Sequence, residues 1–111
     1  MPENNDTITI VAKPERRRFE VQDNAEPIGK TQYVDHDGRR VFFHTDVDEA
    51  YAGRGLASDL VRTALDTTLA EGLVPVGVCP YVHAWLERHP DVKAKASEPT
   101  DPDFAALRPR G

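Results

Sequence analysis

The sequence predicts an α/β fold with a mixed, mainly antiparallel sheet of about five strands and two helices. Three observations predict it. Short segments of alternating apolar residues, separated by turn signals, occupy the chain up to Thr45. From Leu56 to Leu69 the apolar residues instead recur at spacings of three and four, which is typical of a helix. A short valine-rich segment and a second helical stripe then follow, and a chain of 111 residues is expected to form one domain.

The first part of the chain predicts four antiparallel strands. Asp35-His36-Asp37-Gly38 is a strong turn signal between the third and fourth, because Asp and Gly tolerate the backbone angles of tight hairpins. Short turns between successive strands indicate an antiparallel meander. The predicted strands are residues 7–12, 17–22, 28–34 and 40–45.

The second part predicts helix, strand and helix. Gly72 ends the first helix, and the apolar residues 73–78 form a fifth strand. Pro75 cannot donate a hydrogen bond within a sheet, which is consistent with a gap in strand pairing. Pro80 suits the first position of a new helix with Cys79 as its N-cap, and His89-Pro90 ends that helix.

The strand–helix–strand unit over residues 40–78 indicates where a ligand binds. A helix of this length between two strands normally makes them parallel neighbours with a right-handed crossover. Both strands then end at the same edge of the sheet, which is where open α/β sheets bind ligands. His44 and Cys79 are the residues that we expect at this edge.

The loop before the first helix is a candidate anion site. Its glycines allow backbone N–H groups to turn inward, and the helix N-terminus adds partial positive charge, so the loop suits a pyrophosphate. The alternative is an ordinary glycine-rich loop at a helix start. No Gly-Lys-Ser/Thr follows, and Ser58 replaces the third glycine of the dinucleotide pattern. The candidate cofactor-binding residues are Gly53, Arg54, Gly55, Leu56, Ala57 and Ser58.

This loop resembles the acetyl-CoA-binding motif R/Q-x-x-G-x-G/A of the GNAT acetyltransferases. Gly55 and Ala57 match its last two positions, and Ala52 stands where the family usually has Arg or Gln. The wider string HTDVDEAYAGRGLASDLV, followed by VCPYVHAWLERHP, is similar to short GNAT-like domains of the YjdJ type. The resemblance implies a reduced GNAT fold over residues 7–91, a splay between the fourth and fifth strands for the pantetheine arm, and transfer of an acetyl group from acetyl-CoA to an amine.

Three residues are candidate catalytic groups. Cys79 at a helix N-cap lies where a thiolate is favoured, although a free cysteine is also commonly a small buried residue. His44 alternates along its strand so that it shares a face with Phe42, and beside Cys79 it can activate a nucleophile or act as a general base. Tyr81 can protonate the departing CoA thiolate or be structural. Both covalent transfer through Cys79 and direct attack by the amine remain open.

The sequence says less about the acceptor and about whether the protein is an enzyme. Asp46, Asp48 and Glu49 lead into the glycine loop and can receive a cationic amine or form a polar loop. The acceptor is a small amine or a protein amine. A rival to the enzyme is a non-catalytic acyl-CoA-binding module that acts through a protein partner, which the small size of the chain favours.

Composition excludes several classes. A formal net charge of −5 argues against a general nucleic-acid binder, which needs basic surface. The scattered histidines and the single cysteine lack the paired spacing of a metal site. A lone cysteine, with neither a secretion signal nor a long apolar run, indicates a cytoplasmic protein without a membrane segment, which we expect to be a monomer or weak dimer. The polar residues 92–111 predict a disordered or loosely docked tail.

Overall fold

The computed structural model describes residues 6–108 and has an α/β architecture with one five-stranded sheet, as predicted. The strands lie side by side in chain order, and two main helices match the predicted pair. The first and last few residues, including the end of the predicted tail, lie outside the described residues. The elements are β1 (Ile8–Lys13), β2 (Arg18–Asp23), β3 (Glu26–His36), β4 (Arg39–Val47), α1 (Leu56–Ala70), β5 (Val74–Gly77), α2 (Pro80–Glu87), α3 (Pro90–Lys93) and α4 (Asp101–Ala106).

The main helices and one face of the sheet enclose the hydrophobic core. The stripe predicted on α1 is buried along its length, and Trp85 of α2 is fully enclosed. The sheet contributes Phe19, Val21, Tyr33 and Phe42 to the same cluster. The removal of these large apolar side chains from water stabilises the domain more than any other kind of interaction does.

The parallel pairing of β4 with β5 is confirmed, and it covers only the first part of β4. The register runs from Arg39 opposite Val74 to Phe42 opposite Gly77. Beyond Phe42, β4 continues to Val47 while the other chain segment turns away into α2. The two strands therefore diverge after Phe42, which matches the splay that the family resemblance implies.

Pro75 does not mark that divergence, so the interpretation of this proline as a gap in pairing is wrong. It lies opposite Arg40 inside the paired region. Its carbonyl accepts a hydrogen bond from the Ser97 amide, on the side away from β4. Because the N and O atoms of one strand residue point the same way, the missing N–H falls on the outer edge, where the sheet tolerates it.

A β-bulge in β4 decides which side chains face the helices. Tyr33 pairs with Phe42 and Thr31 pairs with Thr45, so Phe43 is an extra residue in β4. Cross-strand partners share a face, and so do residues two apart along a regular strand. Thr45 therefore lies on the face of Phe42, and His44 lies on the opposite face. The prediction that His44 shares a face with Phe42 is wrong because of this bulge.

The segment after α2 differs from the expected disordered or loosely docked tail. The predicted boundary after residue 91 falls inside α3, and Ser97 forms a parallel bridge with Val76 of β5. At the start of α4, the fully buried carboxylate of Asp103 accepts hydrogen bonds from Arg39 at 2.7 and 2.9 Å and contacts His36 at 2.6 Å. Polar contacts rather than apolar side chains therefore hold the stretch around Asp103 to the sheet. We call the contacts of Asp103 with Arg39 and His36 the polar clasp.

Replacing Asp103 by Asn is expected to lower the free energy of unfolding at pH 7 by roughly 2 kcal/mol, because charge-assisted hydrogen bonds to a buried group are lost. The Arg39 hydrogen bonds, which outweigh burial, hold the pKa of Asp103 well below its ordinary value. A carboxylate with a depressed folded pKa stabilises the fold above its unfolded pKa and loses this contribution as the pH falls.

Urea denaturation at pH 7 and at acid pH measures both effects. The difference between wild type and Asp103→Asn should shrink as the pH falls below about 3.8, the ordinary pKa of an aspartate. Equal stabilities of the two proteins at pH 7 would contradict the clasp.

Candidate functional site

The glycine loop presents unpaired backbone donors at the start of α1. Gly53 and Gly55 have φ angles of 81° and 74°, which side chains other than glycine rarely adopt. Gly55 is the N-cap of α1, and no side chain caps the helix there. The first N–H groups of a helix have no carbonyl of a preceding turn to bond. The amides of Leu56, Ala57 and Ser58 are therefore free of the helix ladder and lie at its positive end.

A groove of about 320 Å³ runs along this loop. It begins at the end of β4, where the sheet has already diverged from β5, and it reaches Tyr81 in the first turn of α2. The structure thus brings the predicted anion loop and the predicted acid Tyr81 into one groove. The lining residues are Val47, Asp48, Glu49, Tyr51, Ala52, Gly53, Gly55, Leu56, Ala57, Ser58 and Tyr81.

The Tyr81 hydroxyl is suited to remain protonated. Burial raises the pKa of Tyr81 above its ordinary value, against the opposing effect of the nearby Arg88 charge. A tyrosine that keeps its proton at neutral pH can donate it to a thiolate as that anion forms.

The side chains of Ser58 and Arg54 have different surroundings. The Ser58 hydroxyl accepts a hydrogen bond of 2.9 Å from the indole N–H of Trp85, so it ties α1 to α2. Its backbone N–H remains at the helix end. The Arg54 guanidinium lies 5.0 Å from the centre of the Tyr51 ring, which itself lines the groove. Arg54 therefore adds positive charge at the groove margin.

Cys79 is the N-cap of α2 and is buried, with 4% of its surface exposed. Its Sγ donates to the Thr45 hydroxyl at 3.5 Å, and its amide donates to the Phe42 carbonyl at 2.9 Å. The Thr45 hydroxyl is in turn 2.9 Å from that of Thr31. The thiol thus belongs to a small polar chain on the helix side of the sheet, and it is not among the residues that line the groove.

His44 lies on the other face, with half of its side chain exposed. Its Nε2 is 2.8 Å from Oδ2 of Asp46, and the Lys30 ammonium is 3.0 Å from the same oxygen. Burial alone would raise the pKa of Asp46, but the hydrogen bonds from His44 and Lys30 outweigh it and lower that pKa. An ionised carboxylate only accepts hydrogen bonds, so Nε2 carries the proton and Nδ1 of neutral His44 keeps a lone pair.

The structure therefore does not bring His44 and Cys79 together as a pair. Their hydrogen bonds go to different partners, Asp46 and Thr45, on opposite faces of β4. The sequence pattern did not reveal Thr45 as the partner of Cys79 or Asp46 as the partner of His44. A regular alternation of side chains through β4 puts His44 on the core face and Thr45 on the outer face. The bulge at Phe43 reverses the two.

Other kinds of site find no support in the part of the chain that the structure describes. Between residues 6 and 108, no group of three or more His, Cys, Asp or Glu side chains is placed to hold a metal ion. Over the same range, every helix is too short or too polar to cross a bilayer.

Comparison with known proteins defines the class. Residues 18–95 match the family model of the GCN5-related N-acetyltransferases, and the chain belongs to this family. It is 31% identical to Protein NATD1 of Bos taurus over 91 residues, which covers 80% of each chain, and 32% identical to Protein NATD1 of Mus musculus over 78 residues, which covers 68% of this chain and 71% of the other.

A solved structure supports the same fold. The NMR solution structure of a GCN5-like protein from Staphylococcus aureus superimposes with a TM-score of 0.66, covering 86% of this chain and 94% of the other at 15% sequence identity. The predicted membership of the GNAT superfamily and the predicted reduced GNAT fold are thereby confirmed.

Proposed function

We propose that this protein transfers an acetyl group from acetyl-CoA to a primary amine. The observation that carries the proposal is the groove, because it combines an uncapped helix N-terminus with Tyr81 at the end of β4, beyond the point where β4 and β5 diverge. Backbone N–H groups at a positive helix end suit a pyrophosphate, and an elongated acyl carrier can run from this groove toward the strand splay.

The residues of the groove divide the work of holding acetyl-CoA. The amides of Gly55, Leu56, Ala57 and Ser58 receive the pyrophosphate oxygens, and Arg54 contributes positive charge. The part of β4 that is not paired with β5, from Phe43 to Val47, receives the pantetheine arm in the way that a sheet edge receives an extended chain. Acetyl-CoA supplies a thioester whose carbonyl carbon an amine can attack.

The proton transfers use His44 and Tyr81. Nδ1 of His44 takes a proton from the attacking amine as the C–N bond forms, while Asp46 stabilises the imidazolium through Nε2. As the C–S bond breaks, the Tyr81 hydroxyl donates its proton to the departing sulfur. His44 belongs to β4 and Tyr81 to α2, the elements that separate at the splay, so we expect the amine to enter from the β4 side and the thiolate to leave toward α2.

Direct attack by the amine is better supported than a covalent acetyl-Cys79 intermediate. A nucleophilic thiol needs a base within hydrogen-bond reach and access to the thioester. Cys79 instead donates to a threonine hydroxyl and is buried beside the core. We infer that Cys79 shapes the helix side of the splay.

A second function is favoured by one observation. His44 is outside the lining of the groove and half exposed, so the chain can also bind acyl-CoA without turning it over and act through a protein partner. Amine-dependent release of free CoA separates the two functions. In either case we propose a cytoplasmic monomer or weak dimer in which Cys79 stays a free thiol.

Turnover and the role of Cys79 are tested together. The purified protein is incubated with acetyl-CoA and a panel of primary amines, and free CoA is measured with a thiol reagent; Cys79 itself is followed by intact-mass spectrometry without acceptor. We expect amine-dependent CoA release, no acetyl group on Cys79, and most of the activity in Cys79→Ala. Binding of acetyl-CoA without release on any amine supports the binding module, and an acetyl adduct that an amine discharges contradicts direct transfer.

A further inference from the structure

A second pocket lies on the sheet face opposite the main helices. It has a volume of about 280 Å³ and belongs to the face that carries His44 rather than the face that carries Cys79. Asp48 lines both this pocket and the groove, so the two cavities are neighbours on either side of this residue, just after β4. The pocket is lined by Arg18, Glu20, Pro27, Ile28, Gly29, Lys30, Asp46 and Asp48.

The ion pair between Arg18 and a buried Glu20 forms one wall of this pocket. The Glu20 side chain is only 3% exposed, although no main helix covers this face. Its carboxylate accepts hydrogen bonds from Arg18 at 2.7 Å and from Gln22 at 3.1 Å. Burial alone would raise the pKa of Glu20, but these two donors and the positive charge of Arg18 lower it. The wall is therefore a fixed arrangement of opposite charges rather than a mobile surface pair.

Lys30 and Asp46 continue this alternation of charge across the same face of the sheet. The Lys30 ammonium donates one of its three N–H bonds to Asp46, and the same Asp46 contacts His44. Lys30 also pairs across the sheet with both Glu20 and Asp46, so one cation stands between two carboxylates. Asp48 uses its Oδ1 to accept the Ala50 amide and lies nearest the groove.

We propose that this pocket binds the acceptor, and that the acceptor is a small primary amine that also carries a carboxylate, such as a free amino acid. The inference rests on the proposed acetyl transfer. The amine lies at the Asp46–Asp48 end, where Asp48 also lines the groove and Asp46 contacts the His44 base. The carboxylate lies toward Lys30 and Arg18, which have further N–H donors than those they give to Asp46 and Glu20.

The charges that line the pocket favour a zwitterionic ligand over a polyamine and over an anion. A polyamine brings only positive charge and meets Lys30 and Arg18 in the pocket. A purely anionic ligand meets three carboxylates there. A zwitterion matches both signs, and complementary charge contributes to specificity more than to raw affinity. The volume of about 280 Å³ lies just below the roughly 300–1,000 Å³ of sites for drug-sized ligands, which favours a ligand of single amino-acid size.

The test compares two ligands that differ only in the carboxylate. L-Leucine and L-leucinamide are titrated into ¹⁵N-labelled protein, and amide chemical shifts are followed. We expect leucine to bind at least about tenfold tighter, a difference of roughly 1.4 kcal/mol, with the largest shifts at Lys30 and Asp46. Equal or tighter binding of leucinamide or spermidine, or shifts confined to other parts of the protein, would overturn the assignment.

Two variants test whether Lys30 causes the preference for leucine over leucinamide. Lys30→Met should abolish the advantage of leucine over leucinamide, and Lys95→Met, which removes the same charge from an exposed position outside the pocket lining, should keep it. A leucine preference that survives Lys30→Met would contradict the proposed role of Lys30.

Thermal stabilisation by acetyl-CoA, measured on the same samples, separates this inference from the proposed function. If acetyl-CoA stabilises the protein and leucine leaves the pocket amides unmoved, the pocket assignment fails and the proposed transfer stands. If acetyl-CoA fails to stabilise the wild type, the proposed function fails.

Discussion

His44→Ala is expected to lower kcat roughly 10²–10⁴-fold, the usual contribution of a positioned general base. The KM for acetyl-CoA should change little, because the His44 side chain contacts Asp46 and does not line the groove, and the substitution keeps the β4 backbone that receives the pantetheine arm. The physical reason is the fixed tautomer: Asp46 accepts from Nε2 and leaves Nδ1 free to take the proton of the amine. Steady-state CoA release, with acetyl-CoA and amine varied in turn, measures both parameters.

His83→Ala is the matched control. The His83 side chain is 54% exposed and lies on α2, 4.0 Å from Glu87, away from both cavities at the end of β4. The same loss of an imidazole there should leave kcat close to that of the wild type. A His44→Ala protein with normal kcat would show that another group takes the proton, and the assignment of His44 as the base would be wrong.

Gly55→Glu is expected to abolish the stabilisation that acetyl-CoA gives the fold. At about 100 times its Kd, a ligand that binds only the folded state stabilises it by roughly 2.7 kcal/mol. A carboxylate at position 55 would stand in the open space beside the helix end and repel the pyrophosphate, since a Cβ there meets no atom within 4 Å. Thermal melts with and without saturating acetyl-CoA measure the change.

Gly72→Glu separates loss of binding from loss of stability. Gly72 has a φ of 79° against 74° for Gly55, and a Cβ at either position meets open space. Both substitutions therefore carry a similar backbone strain of about 1–2 kcal/mol and the same change in charge. Gly72 lies at the far end of α1, so its variant should keep the full acetyl-CoA shift. Loss of the shift in both variants would contradict the assignment of the loop.

Much of the fold follows from local chemistry. The alternating segments, the Asp-Gly turn before β4 and the stripe on α1 act within short stretches of chain, and each formed the predicted element. The parallel pairing of β4 and β5 follows from the length of the helix between them. The glycine loop was predicted for the same reason, because positive φ angles and a helix start are local properties.

The predictions that were wrong concern features that depend on contacts between residues far apart in the chain. The bulge at Phe43 depends on how β3 pairs with β4, and it reverses the faces of His44 and Thr45 without any mark in the β4 sequence. The clasp at Asp103 depends on Arg39 and His36, which are far away in the chain. A local signal did exist there: Thr100 and Asp103 form a capping box, the T-x-x-D pattern of a helix start within the tail.

The central claim is that the loop from Gly53 to Ser58 binds the pyrophosphate of acetyl-CoA through the amides of Gly55 to Ser58, and amide NMR on titration with acetyl-CoA tests it most directly. We expect further shifts at Tyr81 and little change around Asp103 at the other end of the sheet. The largest shifts are expected at Gly53, Gly55, Leu56, Ala57 and Ser58. Shifts confined to residues outside this loop, or none at saturating acetyl-CoA, would contradict the claim.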